Sequence, residues 1–306
     1  MKRTRIALAV TAAVALFGVA ACGSGSGDPL AAGTPAKAAT GSIVVGSANF
    51  PESALLAEIY AGALSAKGLK VDKKLNIGSR ETYIPALKDG SIDLIPEYTG
   101  VLDQYFNKNA KATTADAVYA ELKAAVPTTL TVLAKSTAED KDAVVVTKAT
   151  AAKYGLTSIA DLAPQAKNLT LGGPPEWKTR PTGVPGLKKV YNLDFKTFRP
   201  LDAGGPLSVQ ALKNGQVDAV NLFTTDPSVA ANGFVILGDP KSLFAAQNVV
   251  PLITKSKVTP EITAALNAIS TKLDTATLGQ LVKEVVVDKK DASAVAKEFL
   301  TKNNLG

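Results

Sequence analysis

Residues 86–99, ALKDGSIDLIPEYT, and residues 211–224, ALKNGQVDAVNLFT, are two copies of one pattern. Each copy predicts the end of a helix before Gly90 or Gly215, then a tight turn, then an apolar strand. The strands end in Tyr98 and Phe223, at the edge where open parallel α/β sheets bind ligands. The repeat therefore predicts two facing sheet edges that close on a ligand. The alternative is that it is only a packing unit, because helix-Gly-strand units recur in many α/β proteins.

The front of the chain has the pattern of a secretory signal. Lys2, Arg3 and Arg5 precede an apolar stretch at 6–21, which is too short for a stable membrane-spanning helix. The residues VAAC at 19–22 resemble the lipobox of bacterial lipoproteins, in which the cysteine becomes the lipidated first residue. We therefore expect a signal peptide at 1–21 and lipid attachment at Cys22. The alternative is an ordinary cleavage site with an incidental cysteine.

The next stretch is typical of a flexible tether. Residues 22–41 are small, include two prolines and lack aromatic side chains. The globular part is predicted to begin near residue 42, and its length suits two domains of ordinary size. We expect lobe one to comprise residues 42–136 plus 248–306, with lobe two, residues 137–247, inserted between them.

Composition excludes several classes of protein. The chain has no histidine and one cysteine, which removes histidine-based nucleophile activation and most zinc sites. Its basic residues form no stripe interleaved with aromatics, so nucleic-acid binding lacks support. No nucleotide or calcium motif is present, and we expect neither a cofactor nor a metal. Only carboxylate chemistry remains for an enzyme, for example at Glu139, Asp140 and Asp142.

Candidate binding residues lie where predicted strands end. A strand at 43–46 precedes a helix that begins at Pro51, which places Asn49, Glu52 and Ser53 at the mouth of the helix. They would face a ligand, although Asn and Ser serve equally well as helix caps. The glycine- and proline-rich loop at 172–183 carries the only tryptophan, Trp177, and a possible anion-binding Arg180. Trp177 could contact a ligand or could fill a small core beneath the loop.

Three segments resemble the substrate-binding lipoproteins of ABC importers for glycine betaine, carnitine and choline. They are GSRETYIPALKDGSIDLIPEYTG at 78–100, the loop at 172–183, and LFTTD at 222–226 followed by LFAAQNVVPLI at 243–253. The resemblance extends over residues 42–306. It implies an α/β, two-lobed periplasmic-binding-protein fold of type II, in which each lobe is a sheet flanked by helices and the ligand lies in the cleft. Members of this family hold a quaternary ammonium head in a cage of aromatic side chains.

Carried over by position, the resemblance makes Tyr98 a cage tyrosine and Phe223 a second aromatic of the cage, with Thr224 beside it. Arg180 stands where relatives place an arginine that binds a carboxylate. The chain also departs from the family pattern. Asp142 replaces a cage tyrosine and Val209 replaces another; Ala48 and Ser53 replace Lys or Gln types, and Val101 replaces a threonine. Asp142 either attracts a cation by its charge or marks a ligand with donor groups.

The resemblance implies a non-enzymatic, extracytoplasmic solute receptor, anchored to the cell membrane by Cys22. We expect a monomer that binds a quaternary amine such as glycine betaine or choline and delivers it to an ABC permease. One alternative is a receptor or sensor of the same fold for a polyol or an aromatic compound. A carboxylate-dependent hydrolase is a further alternative, which no motif supports.

Overall fold

The repeat found in the sequence occupies equivalent places in two sheets. The computed structural model describes residues 42–306, so the expected signal peptide, the expected tether and Cys22 lie outside the described residues. The first sheet has the order β2-β1-β3-β10-β4 and the second the order β7-β6-β8-β5-β9. The strands are β1 Ile43–Gly46, β2 Val71–Lys74, β3 Leu94–Tyr98, β4 Leu130–Val132, β5 Asp142–Thr147, β6 Thr170–Gly173, β7 Thr197–Pro200, β8 Ala219–Phe223, β9 Phe234–Ile236 and β10 Val249–Thr254.

Helices cover both faces of the sheets. The α-helices are α1 Pro51–Ala66, α2 Arg80–Lys88, α3 Thr99–Phe106, α4 Ala115–Ala125, α5 Lys148–Tyr154, α6 Val184–Tyr191, α7 Pro206–Lys213, α8 Pro227–Ala231, α9 Pro260–Lys272, α10 Thr275–Val286 and α11 Ala292–Lys302. Short 3-10 helices lie at Ile159–Leu162, Ala166–Asn168, Pro175–Lys178 and Lys255–Lys257. No helix within residues 42–306 combines the length and the apolar character that a membrane crossing needs.

Each repeat copy forms a helix followed by the central strand of its sheet. Gly90 after α2 and Gly215 after α7 have positive φ angles of 81° and 67°, which favour glycine and end each helix. Strand β3 then pairs in parallel with β1 and antiparallel with β10, while β8 pairs in parallel with β6 and antiparallel with β5. Each sheet is therefore mixed, and its antiparallel strand follows a segment that crosses from the other sheet.

The hydrophobic cores lie between the sheets and their helices. Along β10, Val249 and Ile253 point into one core while Val250 and Leu252 point into another, as the two-residue period of a strand requires. Helix α1 is apolar on almost every side because it lies between the first sheet and the helices near the chain end, chiefly α11. The cores fix the sheets as rigid supports for the loops that follow their strands.

The chain crosses between the sheets twice, and the two crossing segments pair with each other. Residues 133–141 run from the first sheet to the second, and residues 237–248 return. Their backbones are joined by the bond from Asp140 N to Gln247 O at 3.1 Å and by the bridge between Glu139 and Asn248, and Ser136 N continues the pairing to Val249 O, the first residue of β10, at 2.8 Å. We call this pair the hinge. The lobe boundaries given above stay a prediction.

Candidate functional site

A cleft lies between the two sheets, at the ends of β1, β3, β6 and β8. The space between its walls, about 630 Å³, includes the solvent at its open mouth. Both lobes and the hinge contribute to its walls. The lining residues are Ala48, Asn49, Phe50, Ser53, Ser79, Arg80, Tyr83, Pro96, Tyr98, Val101, Asp140, Asp142, Pro174, Glu176, Trp177, Arg180, Ala203, Asn221, Phe223 and Gln247.

Three aromatic rings span the cleft from lobe to lobe. Phe50, in the turn before α1, has its ring centroid 6.1 Å from that of Tyr98 and 5.4 Å from that of Phe223. Tyr98 ends β3 in the first lobe, whereas Phe223 ends β8 in the second. The repeat predicted the outer two rings. Phe50 was missed, although its place between a buried strand and the helix-starting Pro51 could have identified it.

Trp177 belongs to a hydrophobic core and also borders the cleft. It is 1 % exposed, and its ring stacks on Phe244 with the centroids 6.2 Å apart. Gly183 must be a glycine, because an added Cβ would collide with the backbone carbonyl of Trp177. The two interpretations of Trp177 are thus compatible, since one side chain fills the core beneath the loop and forms part of the cleft wall.

Glu52 connects the two lobes beside the aromatic rings. Its carboxylate accepts hydrogen bonds from the Tyr98 hydroxyl and from the Thr225 hydroxyl, each at 2.6 Å. Thr225 also donates its backbone N–H to Asp140 in the hinge, at 2.9 Å. Burial raises the pKa of Glu52, while the two hydroxyl donors lower it. Burial and the nearby charge of Glu52 raise the pKa of Asp140 well above its ordinary value, so the pair resists full ionisation.

Arg180 makes a second connection between the lobes. Its Nε and Nη2 donate to the two carboxylate oxygens of Glu81 on α2, at 3.0 and 2.8 Å. Nη2 also lies 3.7 Å from Glu176 Oε1. The ion pair holds the pKa of Glu81 at about 2, although partial burial opposes this shift. The arginine assigned to a ligand carboxylate is therefore already paired with a carboxylate of the protein.

Arg80 is likewise neutralised, by a buried glutamate. Its Nε and Nη2 each donate to Glu97 at 2.7 Å, and the Tyr83 hydroxyl donates to the same carboxylate at 2.7 Å. Glu97 is fully buried, and Arg80 is 6 % exposed. Burial alone would lower the pKa of Arg80, but the charge and hydrogen bonds of Glu97, together with Tyr83 and Glu81, outweigh burial and raise that pKa. This pair fixes α2 against β3 below the cleft.

Asp142 faces the cleft with neutral partners. It begins β5 directly opposite Phe223 in the antiparallel ladder, and its Oδ1 accepts a hydrogen bond from Asn221 Nδ2 at 3.0 Å. Within residues 42–306, no lysine or arginine nitrogen forms an ion pair with Asp140 or Asp142. Burial raises the pKa of Asp142, and the Asn221 amide lowers it. The carboxylate is thus available to a cation in the cleft.

The sequence-predicted residues fall into two groups. Asn49, Ser53, Tyr98, Asp142, Trp177, Arg180 and Phe223 line the cleft, whereas Glu52 and Thr224 lie behind its wall. Ser53 Oγ accepts the Ala48 N–H at 2.9 Å, which holds the turn before α1. The Thr224 hydroxyl donates a hydrogen bond to Asp140 Oδ1 at 3.2 Å. Sequence reasoning did not assign five further residues to the cleft: Phe50, Arg80, Tyr83, Asp140 and Gln247. Within residues 42–306, no group of three potential metal ligands occurs.

Comparison with known proteins gives the family. The profile described as the substrate-binding domain of ABC-type glycine betaine transport systems matches residues 41–302. The chain belongs to this family. Its members are transport binding proteins and not enzymes, and they work outside the cytoplasm.

Individual relatives agree with this assignment. The chain is 28% identical over 286 residues to the glycine betaine-binding protein YehZ of Escherichia coli (strain K12), covering 89% of this chain and 92% of that protein. It is 32% identical over 158 residues to the carnitine transport binding protein OpuCC of Listeria monocytogenes, covering 51% of each.

A solved structure agrees as well. The crystal structure of a glycine betaine/carnitine/choline ABC transporter matches with a TM-score of 0.67 and 26% identity, covering 86% of this chain and 99% of that one. The predicted two-lobed binding-protein fold is confirmed.

Proposed function

We propose that this chain is the lipid-anchored solute-binding component of an ABC importer, and that it binds a quaternary amine such as glycine betaine or choline and delivers it to a permease. The observation that carries the proposal is the row formed by Tyr98, Phe50 and Phe223 across the cleft. A methylated ammonium cannot donate N–H hydrogen bonds, so aromatic faces are its natural partners. The family supports a transported solute, and YehZ and OpuCC are named for glycine betaine and carnitine.

Closure around the ligand supports the transport role. Glu52–Thr225 and Glu81–Arg180 connect the lobes on either side of the aromatic row. A solute that contacts both lobes favours the closed form over an open one, because its contacts are complete only when the lobes meet. A permease that recognises the closed form would then receive loaded protein selectively.

The test is a titration of the full chain, purified in mild detergent, with glycine betaine, choline, carnitine and proline. Trp177 is the only tryptophan and borders the cleft, so its fluorescence reports binding beside calorimetry. Replacing Phe223 with leucine keeps an apolar side chain but removes a π face, which should weaken binding roughly 2- to 30-fold. Phe106→Leu, outside the cleft, is the matched control. Absence of heat and of fluorescence change with all four solutes would refute the quaternary amine assignment.

The lipid anchor has its own test. Cys22 is the only cysteine of the chain, so a Cys22→Ser variant removes the one thiol that could carry a diacylglycerol. The native chain should fractionate with the membrane and incorporate a labelled fatty acid, whereas the variant should do neither. A native chain without label would refute lipidation at this residue.

A further inference from the structure

The charges around the cleft favour a cation over a zwitterion. The cleft is lined by two arginines, Arg80 and Arg180, and by three carboxylates, Asp140, Asp142 and Glu176. Both arginines are already paired with glutamates outside this lining. Asp140 resists ionisation beside Glu52, and Glu176 lies 3.7 Å from Arg180, so Asp142 is the cleft carboxylate that has neither a cation nor a neighbouring acid as its partner.

Each arginine of the cleft already shares two of its nitrogens with a carboxylate of the protein, so a ligand carboxylate would bind there beside a like charge. Arg80 uses Nε and Nη2 on Glu97, where both partners are buried. Arg180 uses the same two nitrogens on Glu81. That second pair is partly exposed, so separating it costs little by itself. A displaced Glu81 would nevertheless remain beside the ligand as a like charge, with Glu176 on the other side of Arg180.

A cation in the same cleft gains a partner. Asp142 is held opposite Phe223 by the strand register, accepts a hydrogen bond from Asn221, and lines the same cleft as the aromatic row. Arg180 and Arg80 act on this carboxylate only from a distance, without an ion pair, so a cation beside it would stabilise its charge in this partly desolvated place. The strongest attraction therefore goes to a ligand that brings positive charge without a negative one.

We propose that Asp142 is a specificity-determining residue that makes this protein a receptor for quaternary ammonium cations without a carboxylate, of the choline type, in preference to zwitterions of the glycine betaine type. The inference rests on the proposed function and narrows its ligand class. Selection works by repulsion as well as attraction, because Asp142, Glu81 and Glu176 all oppose a second carboxylate.

Choline and glycine betaine are the appropriate probes, since they share a trimethylammonium head. Choline carries a hydroxymethyl group where glycine betaine carries a carboxylate. The full native chain should bind choline at least about tenfold more tightly than glycine betaine, a factor that corresponds to 1.4 kcal/mol. Asp142→Asn preserves shape and removes the charge. It should weaken choline binding by about tenfold or more and bring the two affinities close together. Asp72→Asn, on the exposed edge strand β2, is the matched control and should leave both affinities unchanged.

A second variant tests the repulsive side. Glu81→Gln removes the negative partner of Arg180 and one connection between the lobes. The lost connection weakens closure equally for both ligands and cancels in their affinity ratio. The ratio should therefore move toward glycine betaine by several-fold, because Arg180 becomes available to its carboxylate.

The outcomes separate the inference from the function on which it rests. If none of choline, glycine betaine and carnitine binds the native chain, the quaternary amine function itself is refuted, and the inference falls with it. If both bind but glycine betaine equals or exceeds choline, only the selectivity is overturned. The selectivity is also overturned if Asp142→Asn changes the affinities for choline and glycine betaine by the same factor.

Discussion

Replacing Thr225 with valine should weaken ligand binding by removing one bond between the lobes. The Thr225 hydroxyl donates to Glu52 at 2.6 Å across the cleft. Valine has nearly the same shape but no donor, and the backbone N–H of residue 225 can still bond to Asp140. The change is thus confined to one hydrogen bond that exists only when the lobes meet.

The size of the effect follows from the burial of the acceptor. Glu52 is 4 % exposed, so in the closed form its Oε2 would lose its donor without gaining water. Leaving a buried acceptor unsatisfied costs about 1–3 kcal/mol, which corresponds to a roughly 5- to 150-fold weaker apparent affinity. The open form is spared this cost because water can reach the carboxylate there.

Calorimetric titration with choline and with glycine betaine checks this prediction. Both affinities should fall by the same factor, since the lost bond belongs to closure and not to either ligand. Thr225→Ser keeps the hydroxyl and is the matched control. An affinity for both ligands within about twofold of the native value in Thr225→Val would refute the role of this bond in closure.

Three further perturbations have definite outcomes. Arg80→Met leaves Glu97 buried without its cation and should lower the free energy of unfolding by about 3–5 kcal/mol in denaturant titrations; a loss below about 1 kcal/mol contradicts this. Burial raises the pKa of Asp103 from 3.8 to about 7. The folded protein then keeps a proton that the unfolded chain releases, so Tm should fall as pH rises across that interval, and Asp103→Asn should flatten the decline. Both Tyr98→Phe and Tyr98→Ala should weaken binding and lose the hydroxyl that donates to Glu52, but Tm should fall further in Tyr98→Ala, because only alanine also removes the ring from the core; equal Tm values would oppose this.

The sequence predicted what is local and repeated. The helix, glycine and strand of each repeat copy lie close together in the chain, so the pattern alone was enough to place Tyr98 and Phe223 at the strand ends. Besides β9, the strands β2 and β7 were missed. Both are edge strands with exposed or half-exposed residues, for example Val71–Lys74, and their pattern does not alternate between apolar and polar.

Long-range pairing is what the sequence could not give. Arg180 looked like a free anion-binding residue, and its partner Glu81 is 99 positions away on the other lobe. Glu52 looked like a ligand contact at a helix mouth, yet its side chain turns behind the cleft wall to reach Thr225, 173 positions away. Nothing in the local pattern specifies either partner, because both pairs form only when the lobes are assembled.

The insertion of the whole second sheet between β4 and β10 of the first also decides the order in which the chain can fold as it is synthesised. Every strand of the second sheet lies within residues 142–236, so that sheet is complete once one continuous stretch has been made. The first sheet must wait for β10, which lies between β3 and β4 and is made only after the whole of the second sheet. Until then β4 has no neighbour in its sheet, and one edge of β3 is unpaired. The inserted half is thus ready to fold first, and the half that begins the chain completes its sheet last, with the long-range contacts that make β-pairing slow.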